Sequence, residues 1–173
     1  MSSVREVEES SARRRSAGER VLLAVGSIGP LGHAPASGTV AVAVAGIPLA
    51  WVMRHYLTDG VYLGVAIAFT VAAMALHHRG DKVLGESDSR KLVWDELAGF
   101  FFALYAVPFT WPVVVIGFFL ERVIDIVKVP PANWIDDRMH SGVGVVLDDV
   151  VAGVYTCILL HGLVRFGPAW LAG

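Results

Sequence analysis

Eleven of the sixteen Asp and Glu residues fall in three clusters: Asp81 to Glu96, Glu121 to Asp137, and Asp148-Asp149. Each cluster adjoins a strongly apolar stretch, where carboxylates are costly unless something offsets their repulsion. A divalent cation does so, and Mg²⁺ prefers oxygen ligands. In Val93-Trp94-Asp95-Glu96-Leu97-Ala98-Gly99, the adjacent acids point about 100° apart on a helix, so both can border one cavity between neighbouring helices. Gly99, one turn beyond Asp95, allows close helix approach. The plain alternative is a solvated helix start whose acids match the dipole.

The second cluster contains Glu121-Arg122-Val123-Ile124-Asp125-Ile126-Val127-Lys128. Arg122, Asp125 and Lys128 recur every third residue and form a charged stripe on an apolar helix. Arg122 and Lys128 can hold a phosphate while Asp125 binds metal; an interfacial ladder of salt bridges has the same pattern. The third, from His140 through Gly142 and Gly144 to Asp148, Asp149 and Gly153, is a glycine-bearing loop leading into a helix with two adjacent acids. Glycines let a backbone approach an anion, and the acids can take a metal. A helix-dipole effect is again the alternative. Together, acids, cations and a glycine loop suit phosphate-ester chemistry with Mg²⁺.

Other phosphatase chemistries lack their residues. Six positions after Cys157, where a cysteine phosphatase needs Arg, stands Leu163. No strand is evident to end in an Asp-x-Asp nucleophile. The Lys-x6-Arg-Pro signature and the Walker phosphate loop are both missing.

These residues must be positioned by a very apolar chain. It is 55% hydrophobic and 17% charged, with net charge -2 and mean hydropathy +0.60. Apolar content excludes a disordered chain, and the absence of a dominant basic face argues against a nucleic-acid partner. A single cysteine excludes a disulfide framework and a Cys-based zinc site. Residues 21–53, 60–76 and 97–120 carry no Asp, Glu, Lys or Arg. A soluble bundle with one buried central helix explains one such gap; three point to a membrane.

Residues 1–20 read as a disordered polar tail whose Arg13, Arg14, Arg15 and Arg20 meet anionic headgroups. Residues 21–173 read as one helical domain. Val21 to Gly38 is a short helix broken into a loop by Gly and Pro. A helix over Thr39 to Leu57, capped by Thr39, turns at Thr58-Asp59-Gly60 into a second over Val61 to His78. A polar connection, Arg79 to Lys91, leads to a helix over Leu92 to Val107. Pro108 and Pro112 then break the chain. Basic residues on both sides of that break, among them Arg90, Lys91, Arg122 and Lys128, belong on one membrane face, which predicts a hairpin. Its arms, the second over Val113 to Val127, are short and suit a re-entrant pair packed against protein. Pro130-Pro131 ends the arm, Ala132 to Val143 is a loop or interfacial segment, and Gly144 to Arg165 is the last helix. This topology gathers the three acidic clusters at one face.

At these residues the sequence resembles phosphatidylglycerophosphatase A. The matching stretches are Lys91 to Gly99, Arg122 to Lys128 with Pro131, and His140 to Gly153; Ser37-Gly38-Thr39 resembles the family's Pro-Gly-Thr element. Departures include Ser37 for proline, Ala41 for glycine, Glu121 for an aromatic, Val129 for proline and Ser141 for glycine. The resemblance implies an all-α, compact multi-helix bundle with a central apolar helix, embedded in a bacterial-type inner membrane with its site facing the cytoplasm. It implies Mg²⁺-dependent hydrolysis of the lipid phosphatidylglycerophosphate to phosphatidylglycerol and phosphate. Asp95, Glu96, Asp125, Asp148 and Asp149 carry over as metal or catalytic acids. Arg122, Lys128 and His140 carry over as phosphate-binding residues. A small membrane transporter or ion-binding protein using the same acids, and a lipid-binding scaffold without turnover, are the competing readings.

Overall fold

The structure, a computed structural model, describes residues 15–86, 88–132, 134–135, 139 and 142–171. The expected tail falls largely outside them. Among the described residues there are six α-helices and no strand.

Helix α1, Ala17–Gly26, starts four residues inside the stretch read as tail, because Ser16 and Glu19 form a reciprocal capping box. A 3₁₀ turn, Leu31–His33, leads to α2, Ser37–Tyr56, which contains a π-helical turn at Val42–Gly46. Thr39 is not its cap. The chain enters through Ala36 in the left-handed region at φ 51°, and the helix begins at Ser37.

Thr58 precedes α3, Asp59–Leu84, so the expected turn residues Asp59 and Gly60 are its first turn. This helix runs on through the stretch read as a polar connection and stops at Gly85, in the left-handed conformation with φ 71°. The extension is tertiary in origin. His77 and Gly80 stay buried on the inner face, while Arg79 and Lys82 point outward.

Helix α4, Trp94–Ala103, is the central apolar helix. Asp95, Leu97, Ala98, Gly99, Phe100, Phe101 and Ala103 are all buried, and its most extensive packing is on the last helix. The expected break follows. Residues 104–110 turn the chain, and α5, Trp111–Val127, starts with Pro112 in its first turn, where the missing N–H costs nothing. Helix α5 packs back on α4, forming the hairpin. The last helix, α6, is Gly142–Phe166.

Three helices, α2, α3 and α6, are long and apolar enough to cross a membrane. Their outward side chains, including Val44, Ile67, Val71 and Ile158, are exposed apolar groups, as lipid contact requires. The start of α2, end of α3, start of α4, end of α5 and start of α6 all meet at one end of the bundle, around adjoining cavities.

Candidate functional site

A glycine crossing positions the acids. Asp95 and Gly99 are four residues apart on α4, as are Asp149 and Gly153 on α6. A Cβ at Gly153 would collide with the Gly99 carbonyl, and one at Gly99 would lie 2.6 Å from the Asp149 carbonyl oxygen. With backbones this close, the carboxylates one turn earlier on each helix face the same space. Asp95, Glu96 and Asp149 present oxygens that all lie within 4.8 Å of one another. A third glycine closes the site from α2: a Cβ at Gly38 would strike the Glu96 carboxylate.

Asp95 and Asp149 are buried, and Glu96 is half-buried. Asp95 Oδ1 and Glu96 Oε2 have no hydrogen-bond partner among the described residues. His77 Nε2 is 3.3 Å from Asp95 Oδ1 but misaligned for a hydrogen bond; neither ring nitrogen has one. Burial pushes the Asp95 carboxyl up to about 6, with the charge of Asp88 adding to it against hydrogen bonds that lower it. Glu96 is raised well above the usual range by burial and then by Asp95, with Arg122 opposing.

Around this group lies a ring of ion pairs. Glu121, fully buried, accepts from Arg122 Nε at 2.7 Å and Nη2 at 2.6 Å. The same guanidinium lies 3.7 Å from Asp125. Lys128, at the left-handed end of α5, donates to Asp148 Oδ2 at 2.8 Å. Asp125, Asp148 and Lys128 line one cavity of about 220 Å³ with the three clustered acids. Arg122 lines an adjoining cavity of about 750 Å³. His140 lies outside the described residues, as does Ser141.

All five expected acids thus border one cavity, but they divide. Three form the tight group, while Asp125 and Asp148 are ion-paired at its edge. Sequence reasoning overlooked His77, hidden in an apolar helix with no local signal. It placed Glu121 in the second cluster and among the departures without a role, because neighbours one residue apart point to different sides of a helix and spacing does not predict their pairing. Ser37-Gly38-Thr39 proves to be a wall of the site.

The group fits a metal ion. Its donors are all oxygen, which suits a hard divalent cation, and two buried oxygens lack partners that such an ion would provide. Carboxylates so close cannot all ionise without compensation.

The fold and site define an all-helical protein with three helices long and apolar enough to cross a membrane and a carboxylate-lined polar pocket at one end of the bundle, equipped for phosphate-ester chemistry. The profile of the phosphatidylglycerophosphatase A family matches residues 24–164. Phosphatidylglycerophosphatase A of Escherichia coli (strain K12) is 32% identical over 126 residues, covering 72% of this chain and 73% of the relative. The Haemophilus influenzae protein of that name is 32% identical over 143 residues, 82% of this chain and 86% of its own. A Bacteroides thetaiotaomicron protein named provisionally as a phosphatidylinositol-3-phosphatase is 34% identical over 134 residues, 72% of this chain and 81% of its own. No solved structure matches. The chain belongs to the phosphatidylglycerophosphatase A family and is a phosphoric monoester hydrolase.

Proposed function

We propose that the protein removes the terminal phosphate of phosphatidylglycerophosphate, yielding phosphatidylglycerol and phosphate, in a Mg²⁺-dependent reaction at the cytoplasmic face of a bacterial inner membrane. The observation that carries this reading is the convergence of Asp95, Glu96 and Asp149, two of them with buried oxygens that accept no hydrogen bond among the described residues, at a tight helix crossing. These three carboxylates would hold the cation. Bound there, Mg²⁺ supplies neutralisation of phosphoryl charge and a lowered pKa for a coordinated water.

The chain's own groups do the rest. Arg122, held by Glu121 in the adjoining cavity, offers its remaining donors to the equatorial phosphoryl oxygens, and Lys128 adds a second cation beside the acids. Asp125, partly exposed at the edge of the clustered acids, takes the proton of the attacking water. Asp148 orients Lys128. Apolar outer faces on α2, α3 and α6 keep acyl chains in the bilayer while the headgroup enters from the polar end. That end also carries Arg20, Arg79, Lys82, Arg90, Lys91, Arg122 and Lys128, which supports a cytoplasmic orientation.

Phosphate release from phosphatidylglycerophosphate by the purified protein, with and without Mg²⁺, tests the reading. Release that needs Mg²⁺ and disappears in Asp95→Asn and Asp149→Asn, with helicity and melting intact, supports it. Full activity in both variants, or Mg²⁺ binding without release, overturns it.

A further inference from the structure

We propose that the larger cavity beside the acids is a second phosphate subsite, in which Arg90 and Lys91 hold the bridging phosphodiester of the headgroup. The inference rests on the reaction proposed above and adds how the lipid is recognised. That substrate carries two anionic groups separated by one glycerol: a terminal monoester, which is cut, and a diester, which is kept. The carboxylates that crowd the reaction site would repel the second unless further cations meet it.

Three cavities lie in sequence at this end of the bundle, and their chemistry changes in the order of the lipid's own. The first, about 220 Å³, contains the acids. It shares Arg90, Glu96 and Asp125 with the second, of about 750 Å³, whose walls add Lys91, His33 and the Ser37-Gly38-Thr39 element. The second shares His33 and Lys91 with a third, of about 320 Å³, whose walls include Leu23, Leu84 and Leu92 together with Arg15 and Arg20. Clustered acids, then a stretch where Arg90, Lys91 and Arg122 outnumber the shared Glu96 and Asp125, then a half-apolar chamber match monoester, diester and the start of the acyl region.

The cationic segment is built in place. The Ser37 hydroxyl donates to the Arg90 carbonyl at 2.5 Å. A Cβ at Gly32 would collide with the Lys91 carbonyl, so the 3₁₀ turn is pressed against the segment. Val93 N–H donates to the Gly26 carbonyl at 3.0 Å, and the Ser89 hydroxyl to Glu86 at 2.8 Å. Glu86 also lies 3.9 Å from Lys91 Nζ at the rim. Backbone clamps on both sides fix where these two cations emerge, so they lose little freedom on meeting an anion.

The test uses full-length protein in mixed micelles and reads four quantities in wild type, Arg90→Gln/Lys91→Gln, Arg90→Gln alone and Arg90→Lys. These are KM and kcat for phosphatidylglycerophosphate, inhibition by phosphatidylglycerol, which has the diester but no monoester, and inhibition by inorganic phosphate. We expect the double variant to raise KM and the phosphatidylglycerol inhibition constant about tenfold, one ordinary charged contact's worth. We expect kcat to fall less than threefold and inhibition by inorganic phosphate to stay constant. Arg90→Gln alone moves the same quantities in the same direction by less, and Arg90→Lys recovers part of the loss. An unchanged phosphatidylglycerol constant, or parallel loss of phosphate and phosphatidylglycerol inhibition, overturns the subsite. Wild-type protein that releases no phosphate overturns the reaction instead, so the two failures are distinguishable.

Discussion

Helices α3 and α4 are both apolar, yet they are organised in opposite senses. On α3 the buried residues Tyr62, Ala66, Thr70, Ala73, His77 and Gly80 form one narrow stripe, and bulky Val61, Ile67 and Val71 point away from the protein. Helix α4 is covered on nearly every side, and what it holds inward includes Asp95. A soluble protein would bury the valines and expose the acid. That inversion fits an outer face turned to lipid, where apolar area carries no penalty, with packing precision concentrated where α4 meets α6. The outer helix anchors; the inner crossing holds the acids in register.

The sharpest way to test this contrast is to neutralise the inner acids. Asp95→Asn and Asp149→Asn are nearly isosteric, so we expect phosphate release to fall by about 10²–10³-fold or more, with melting temperature in detergent unchanged or raised. Next in size is the crossing itself. Gly153→Ala forces a methyl group into the Gly99 carbonyl and should cost about 1–3 kcal/mol or more, with activity lost in parallel, read by thermal unfolding and phosphate release.

Protonation sharpens the comparison further. Burial favours neutral Asp95, whose pKa is raised to about 6 in the fold, against about 4 in an unfolded chain. The stability tied to that raised value is fully present below about pH 4 and is lost as pH rises through about 6. Cation-free protein should therefore melt lower at pH 8 than at pH 5 through this group. Added Mg²⁺ should raise melting more at pH 8 than at pH 5; equal increments would mean that the cation does not engage these acids.

Glu121→Gln leaves Arg122 without its buried counter-charge. We expect about a tenfold loss of activity with a rise in KM, since a guanidinium no longer held by its carboxylate is poorly aimed. The smallest effect should come from the outer helix. Val71→Ala removes a lipid-facing group and should shift stability by less than about 0.5 kcal/mol, whereas Ala73→Leu, two residues on but buried against α4 and α6, should destabilise by about 1–3 kcal/mol.

Much of the fold was legible in the chain. Charge-free runs over 21–53 and 60–76 marked α2 and α3, and Pro108 and Pro112 marked the hairpin break. Local pattern misjudged the ends. Arg79 to Leu84 reads as a connection because its residues are polar, but tertiary burial of Gly80 keeps it helical. Thr39 looks like a cap, yet the left-handed Ala36 begins α2 earlier and turns Gly38 against Glu96. The candidate acids could be chosen by residue type and neighbourhood. Their division into a clustered trio and two ion-paired members could not, because distances between separate helices have no trace in local spacing.

By itself, then, the sequence determined that this chain is helical, lipid-compatible and rich in carboxylates at helix ends, since periodicity, proline and charge act over a few residues. Only the tertiary structure decided that Asp95, Glu96 and Asp149 share one space, that Glu121 neutralises Arg122 and that His77 stands behind Asp95. Those facts depend on how closely two backbones approach, and that approach is set by glycines that mean little until each has met its partner.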